Sequence, residues 1–246
     1  MSGHSKWSSI KRKKAKEDAK RGRVFTKIAK EITVAARLGG GDPDGNTRLR
    51  QAVMAAKASN MPAENIKRSI QRGTGELPGV SYEEAIYEGY GPGGTALMIS
   101  ILTDNRNRTI SGMRYIFSKF SGSLGESGCV NWMFDRKGYI VVEKNKVSED
   151  KLMDLAINAG AEDMREDGSN YEILTSPENY EKVHKFLEEN DIELAASEIA
   201  MVPKSTVKLE GKNAKQLLKM LEALEEHDDV QNVWANFDID ESEMEE

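Results

Sequence analysis

The sequence has one cysteine, Cys129, which excludes an internal disulfide and makes a reducing cytoplasm the expected home. Its three histidines, His4, His184 and His227, lie far apart, and no Cys/His cluster has zinc spacing. No metal and no cofactor is expected. Catalytic constellations are also missing: no recognisable motif surrounds Cys129, and the paired acids Glu188-Glu189 and Glu225-Glu226 read as exposed helix faces. An enzyme is therefore not expected. No apolar run approaches the roughly 18–20 residues needed to cross a bilayer, and residues 1–7 lack the apolar stretch of a secretory signal. No membrane contact is expected.

What is present is charge, and it is segregated. The 246 residues are 38% hydrophobic and 31% charged, which fits a globular chain long enough for more than one domain. The net charge of -6 hides a basic head on an acidic body. Residues 1–75 hold 18 Lys and Arg against 6 Asp and Glu, whereas residues 76–246 hold 17 against 35. A head of that sign points to a polyanionic partner.

The first 78 residues read as helical. Residues 10–21 are almost continuously basic and have little apolar surface to bury, so alone they should be mobile. Residues 23–38 are amphipathic: Phe25, Ile28, Ile32, Ala35 and Ala36 share one arc, and Arg23, Lys27, Lys30 and Arg37 share the opposite one. A Gly/Asp/Pro break at 39–45 precedes a helix over 46–59. Pro62 suits the first turn of another, which buries Ile66 and Ile70 and carries Lys67, Arg68 and Arg72.

From residue 76 the pattern becomes mixed α/β. Strands are expected at 82–90 and 95–102, a helix at 106–119 and a strand at 128–134. Gly89-Tyr90-Gly91-Pro92-Gly93-Gly94 formally matches G-x-G-x-x-G, but a strand follows it instead of a helix, so it reads as a hairpin turn. Residues 138–203 read as a β-α-β-β-α-β, ferredoxin-like unit, with a first helix at 149–159 and a second starting at Ser176-Pro177-Glu178. Strands at 206–209 and 230–238 around a helix at 212–226 would complete the sheet begun at 82. The expected fold class is thus α+β. A helical domain at 1–78 precedes an α/β domain of 79–137 plus 204–240, with the ferredoxin-like unit inserted, and an acidic tail at 241–246.

Several motifs carry a resemblance. Gly3-His4-Ser5-Lys6-Trp7, Arg23-Val24-Phe25-Thr26-Lys27, Asn60-Met61-Pro62, Tyr87-Glu88-Gly89-Tyr90-Gly91-Pro92-Gly93-Gly94 and Asp104-Asn105-Arg106-Asn107-Arg108-Thr109 stand in the order and spacing of the YebC/PmpR family, which the chain resembles from Ser2 to about Asp238. The resemblance implies a cytoplasmic three-domain protein without catalytic residues. Members are usually described as DNA-binding transcriptional regulators. The family also includes a mitochondrial translational activator, and bacterial members are linked to the ribosome and to synthesis of proline-rich stretches.

The expected function is non-enzymatic nucleic-acid binding in the regulation of gene expression, by resemblance as a DNA-binding transcriptional regulator. The alternative is a translation factor on ribosomal RNA that assists elongation through proline-rich stretches. The candidate contacts are Lys6, Trp7, Lys11, Arg12, Lys13, Lys14, Lys16, Lys20, Arg21, Arg23, Lys27 and Lys30, whose cations neutralise phosphates. Trp7 either stacks on an unpaired base or pins the arm to the body. Arg106 and Arg108 face either a second phosphate surface or an acidic protein patch, beside a helix capped by Thr103 or Asp104. No helix shows a clear Gln/Asn/Arg face for reading bases, and a monomer is expected.

Overall fold

The computed structural model describes residues 18–240, with side chains from Gly22 onward. The basic arm before residue 18 and the acidic tail after 240 lie outside them.

Helices α1 (Asp18–Gly39), α2 (Thr47–Ala58) and α3 (Ala63–Thr74) form a helical unit. Their core joins Ile32, Ala35 and Ala36 of α1 to Leu49, Ala52 and Ala56 of α2 and Ile66 of α3. Asn46 caps α2 by accepting from the Leu49 N–H at 3.1 Å. Its Nδ2 donates to the carbonyls of Ala35 (2.8 Å) and Gly40 (2.9 Å), which ties the start of α2 to the end of α1. Gly73 lies where α3 meets α1. A Cβ there would sit 2.4 Å from the Thr33 carbonyl oxygen and 2.7 Å from the Ala36 Cβ, so glycine sets the close approach.

The rest is built on antiparallel sheets. The first combines β1 (Glu83–Tyr90), β2 (Ala96–Thr103), β3 (Ser123–Leu124) and β9 (Val230–Ala235) in the order β3-β1-β2-β9. The second combines β4 (Phe134–Glu143), β5 (Asp163–Asp167), β6 (Asn170–Thr175) and β7 (Ala196–Pro203) in the order β5-β6-β4-β7. Helices α4 (Arg106–Lys119) and α7 (Gly211–Glu225) cover the first sheet; α5 (Glu149–Ala159) and α6 (Tyr180–Glu189) cover the second.

Alternation along the strands explains the layering. In β2, Leu97, Ile99 and Ile101 face α4 and α7, while Ala96 and Met98 join Tyr139 and Val141 of β4 between the sheets. In β4, Ile140 and Val142 face α5 and α6. Both faces of β2 are buried, which is why its sequence is apolar without a break.

Three expectations at element level differ. Residues 128–134 are not a strand: they form a loop and a short 3₁₀ turn at Asn131–Met133, and β4 begins at Phe134. The strand expected over 230–238 is two. Asn236 separates them, and β10 (Phe237–Ile239) turns away to pair in parallel with β8 (Val207–Leu209), so β9 extends the first sheet but β8 does not. The helix expected from 176 starts at Tyr180 after a turn in which Ser176 Oγ accepts from the Asn179 N–H at 3.2 Å. The G-x-G-x-x-G segment is the hairpin between β1 and β2, with Tyr90 paired to Ala96.

Candidate nucleic-acid interface

Of the candidate contacts, Lys6, Trp7, Lys11, Arg12, Lys13, Lys14 and Lys16 lie outside the described residues. Lys20 and Arg21 belong to the first turns of α1. The remaining cations of α1 are placed differently from the sequence reading. Arg23 pairs with Glu226 at 3.4 Å, and Lys27 Nζ donates to the Glu225 carbonyl at 2.5 Å. Lys30 pairs with Asp229 at 2.7 Å, and Arg37 donates to Ser81 Oγ at 2.6 Å and to the Val80 carbonyl at 3.3 Å. The cationic line of α1 therefore faces the α/β body. Lys30 is corrected outright: its side chain is only 9% exposed and its ammonium is committed to Asp229 and the Asp228 carbonyl, so it is not open to a phosphate.

Asp229 is the centre of that contact. Its Oδ1 accepts from Lys30; its Oδ2 accepts from Thr109 (2.7 Å), Arg108 (3.0 Å) and Thr103 (3.2 Å). Burial disfavours the charge on Asp229, but the donors from Lys30, Thr109 and Arg108 outweigh it and hold the carboxyl well below the usual carboxylate range. Arg108 also pairs with Asp104 at 2.7 Å, and Arg106 lies exposed, 3.8 Å from Glu83. The cap of α4 is Asn105, which accepts from the Arg108 N–H at 3.1 Å, and not Thr103 or Asp104. Arg108 thus meets an acidic patch of its own chain.

Besides Arg37, which is held by Ser81 and Val80, the exposed cations among the described residues of the helical unit are on α3 and at the end of α2. Asn65, Arg68 and Arg72 stand at i, i+3 and i+7 on one solvent-facing side of α3; Lys67, further round the same helix, and Lys57 of α2 are exposed as well. None of these cations has an ion-pair partner among the described residues. The opposite side buries Ile66, Ser69 and Gly73, and Thr33 Oγ1 lies 3.2 Å from the Ser69 carbonyl. A four-residue turn at 59–62 separates α2 from α3. The sequence reading placed Lys67, Arg68 and Arg72 on this helix but missed that Asn65 joins the two arginines; the signal was the i, i+3, i+7 spacing opposite Ile66 and Gly73.

Elsewhere, a cleft of about 1240 Å³ lies where the helical unit meets both sheets. Arg48 on its wall is held by Glu31 at 2.6 Å and by Glu84, and Arg50 beside it donates to Glu181 at 3.0 Å. Its charges are balanced, so it is no anion trap. Burial and then the charge of Glu88 push the Cys129 thiol up, away from the thiolate a nucleophile needs. No group of three or more His, Cys, Asp or Glu is placed to hold a metal among the described residues, and no described helix is long and apolar enough to cross a membrane.

Comparison with known proteins agrees along the chain. Residues 5–76 match the TACO1/YebC protein N-terminal domain, and residues 82–237 match the TACO1/YebC second and third domain. A probable transcriptional regulatory protein of Pelotomaculum thermopropionicum is 59% identical over 242 residues, covering 98% of this chain and 100% of that one. One of Citrifermentans bemidjiense is 56% identical over 245 residues, covering 100% and 99%. The crystal structure of a conserved hypothetical protein from Aquifex aeolicus superposes with a TM-score of 0.84 at 50% identity, covering 93% of this chain and 94% of that one.

Proposed function

Because the chain belongs to the TACO1/YebC family, we propose that it is a non-enzymatic, nucleic-acid-binding regulator of gene expression that works in the cytoplasm and grips its partner with the helical head. The observation that carries this reading is the exposed face of α3, with Asn65, Arg68 and Arg72 in register. Asparagine and arginine are the side chains that make paired hydrogen bonds to base edges in the major groove, and a helix after a short turn is the element that enters it. The basic arm, with seven Lys and Arg from Lys11 to Arg21, adds phosphate neutralisation without sequence readout. In this reading residues 1–78 are the binding domain. The body consists of 79–137 with 204–240, carrying 138–203 as an inserted ferredoxin-like domain.

A second reading, a translation factor on ribosomal RNA, is favoured by the arm itself. A dense run of cations with few apolar neighbours suits ordering on a structured RNA. Ultraviolet crosslinking in cells, with sequencing of the attached nucleic acid, separates the two. The controls are a variant lacking residues 2–21 and an Arg68→Ala/Arg72→Ala double variant. Reads at promoter DNA lost in the double variant support the first reading. Reads at one place in ribosomal RNA lost without the arm support the second. No enrichment over the variants contradicts both.

A further inference from the structure

Two aromatic rings stand exposed on the body near the β3 edge of the first sheet: Tyr90 at the end of β1, and Trp132 in the loop before β4, whose backbone is held by a buried carboxylate. Trp132 is 67% exposed and Tyr90 37%. The Trp132 Nε1–H and the Tyr90 hydroxyl both donate to the Cys129 carbonyl, each at 3.1 Å, so the polar tips are fixed while the rings face solvent. Beneath them, the buried carboxylate of Glu88 accepts from the backbone N–H groups of Gly128 (2.7 Å), Val130 (2.8 Å) and Asn131 (2.9 Å). Burial alone raises the Glu88 carboxyl; the three amide donors outweigh it and keep the group below the usual carboxylate range. Gly128, at φ +89°, has open space where a side chain would be. A buried charge devoted to one loop makes that loop a pre-organised platform.

Next to it is a cleft of about 510 Å³ between α4 and residues 122–126, with Arg114 and Ser118 on one wall and Gly122, Gly125 and Glu126 on the other. The cleft and the platform adjoin at the β3 edge: a Cβ on Gly122 would meet the Tyr90 carbonyl at 2.7 Å, and one on Gly125 would meet Cys129 Sγ at 2.4 Å. Arg114 has no ion-pair partner among the described residues.

We propose that this platform binds unpaired bases of a single-stranded nucleic acid, with Trp132 and Tyr90 stacking on bases and Arg114 holding the strand. The inference rests on the nucleic-acid reading above but names a second surface, remote in sequence from the head. Exposed ring faces serve bases only where the bases are unstacked, so a single strand fits and a duplex does not. Glu126 accepts from base amino groups and repels phosphate, which suits a base-holding site. A protein partner fits less well, because Ser123, Glu126, Ser127, Gly128 and Asn131 around the rings are exposed and polar or small, where a protein interface has an apolar centre.

The test is fluorescence anisotropy of the full chain with labelled 12-nucleotide single strands of RNA and DNA and with a 12-base-pair duplex. The variants are Trp132→Ala, Trp132→Phe, and a head variant with Lys11, Arg12, Lys13 and Lys14 changed to Ala. Trp132→Ala is expected to lose about tenfold or more on a single strand and to leave duplex binding unchanged, while Trp132→Phe keeps most of its affinity because it keeps a stacking face. A single strand carrying 5-iodouridine is expected to photocrosslink wild-type protein at Trp132 or Tyr90. Undiminished single-strand binding by Trp132→Ala, or crosslinks confined to the head, overturns the proposal and leaves the rings to a protein partner. Loss in the head variant alone supports the head and overturns the platform; loss in the Trp132 variant alone does the reverse.

Discussion

Asp229 accepts from side chains on three elements: Lys30 of α1, Thr103 of β2, and Arg108 and Thr109 of α4. It is 2% exposed, so removing its charge leaves the Lys30 ammonium buried and unpaired. Asp229→Asn is expected to lower the unfolding free energy by about 3 kcal/mol in denaturant titration. Arg108→Ala, whose side chain is 56% exposed, should cost about 1 kcal/mol or less; equal losses would contradict the assignment. The pH dependence has a definite sign. A carboxyl whose folded value is depressed stabilises fully above its unfolded value of about 3.9, and that stability is lost as pH falls through the folded value. Asp229 and Glu88 both act in this direction. Denaturant midpoints followed from pH 7 to pH 3 should therefore fall at the acid end, less steeply in Asp229→Asn; parallel curves would refute the role given to Asp229.

At the scale of elements, α3 depends on its fit against α1. Gly73→Ala should destabilise the helical unit by about 1–3 kcal/mol through overpacking against Thr33 and Ala36, seen as a lower thermal midpoint. Arg68→Ala and Arg72→Ala should each weaken binding to a cognate duplex by about 1–3 kcal/mol; Arg68→Ala should leave melting unchanged, whereas Arg72→Ala, whose stem lies against Gly79, should lower it slightly. Much at this scale was legible. Periodicity alone places α4 at Arg106–Lys119 and α5 at Glu149–Ala159, with matching ends. Residues 128–134 were not legible. Cys-Val-Asn-Trp-Met-Phe has strand propensity, but Glu88, some 40 residues earlier, takes the amides that a ladder would need. Asn236 is a similar case: its Oδ1 accepts from the Ala96 N–H at 2.7 Å and its carbonyl accepts from Val207, so the chain changes sheets inside what reads as one strand.

At the scale of the molecule, the charge segregation visible in the sequence has two consequences, and only one was legible. The basic head and acidic body were evident from composition. That they attract each other was not, because Glu225, Glu226 and Asp229 lie about 200 residues from the α1 cations they hold. The body thus draws Arg23, Lys27 and Lys30 inward, so the proposed binding role falls to the arm sequence and the exposed cations of α3. The most direct test is the salt dependence of nucleic-acid binding by the full chain and by a variant lacking residues 2–21. With about 6–10 phosphates engaged, affinity should fall roughly 10³–10⁵-fold from 50 to 200 mM salt, with a clearly shallower slope without the arm. A wild-type affinity that barely changes with salt, or the same slope in both proteins, would contradict the account.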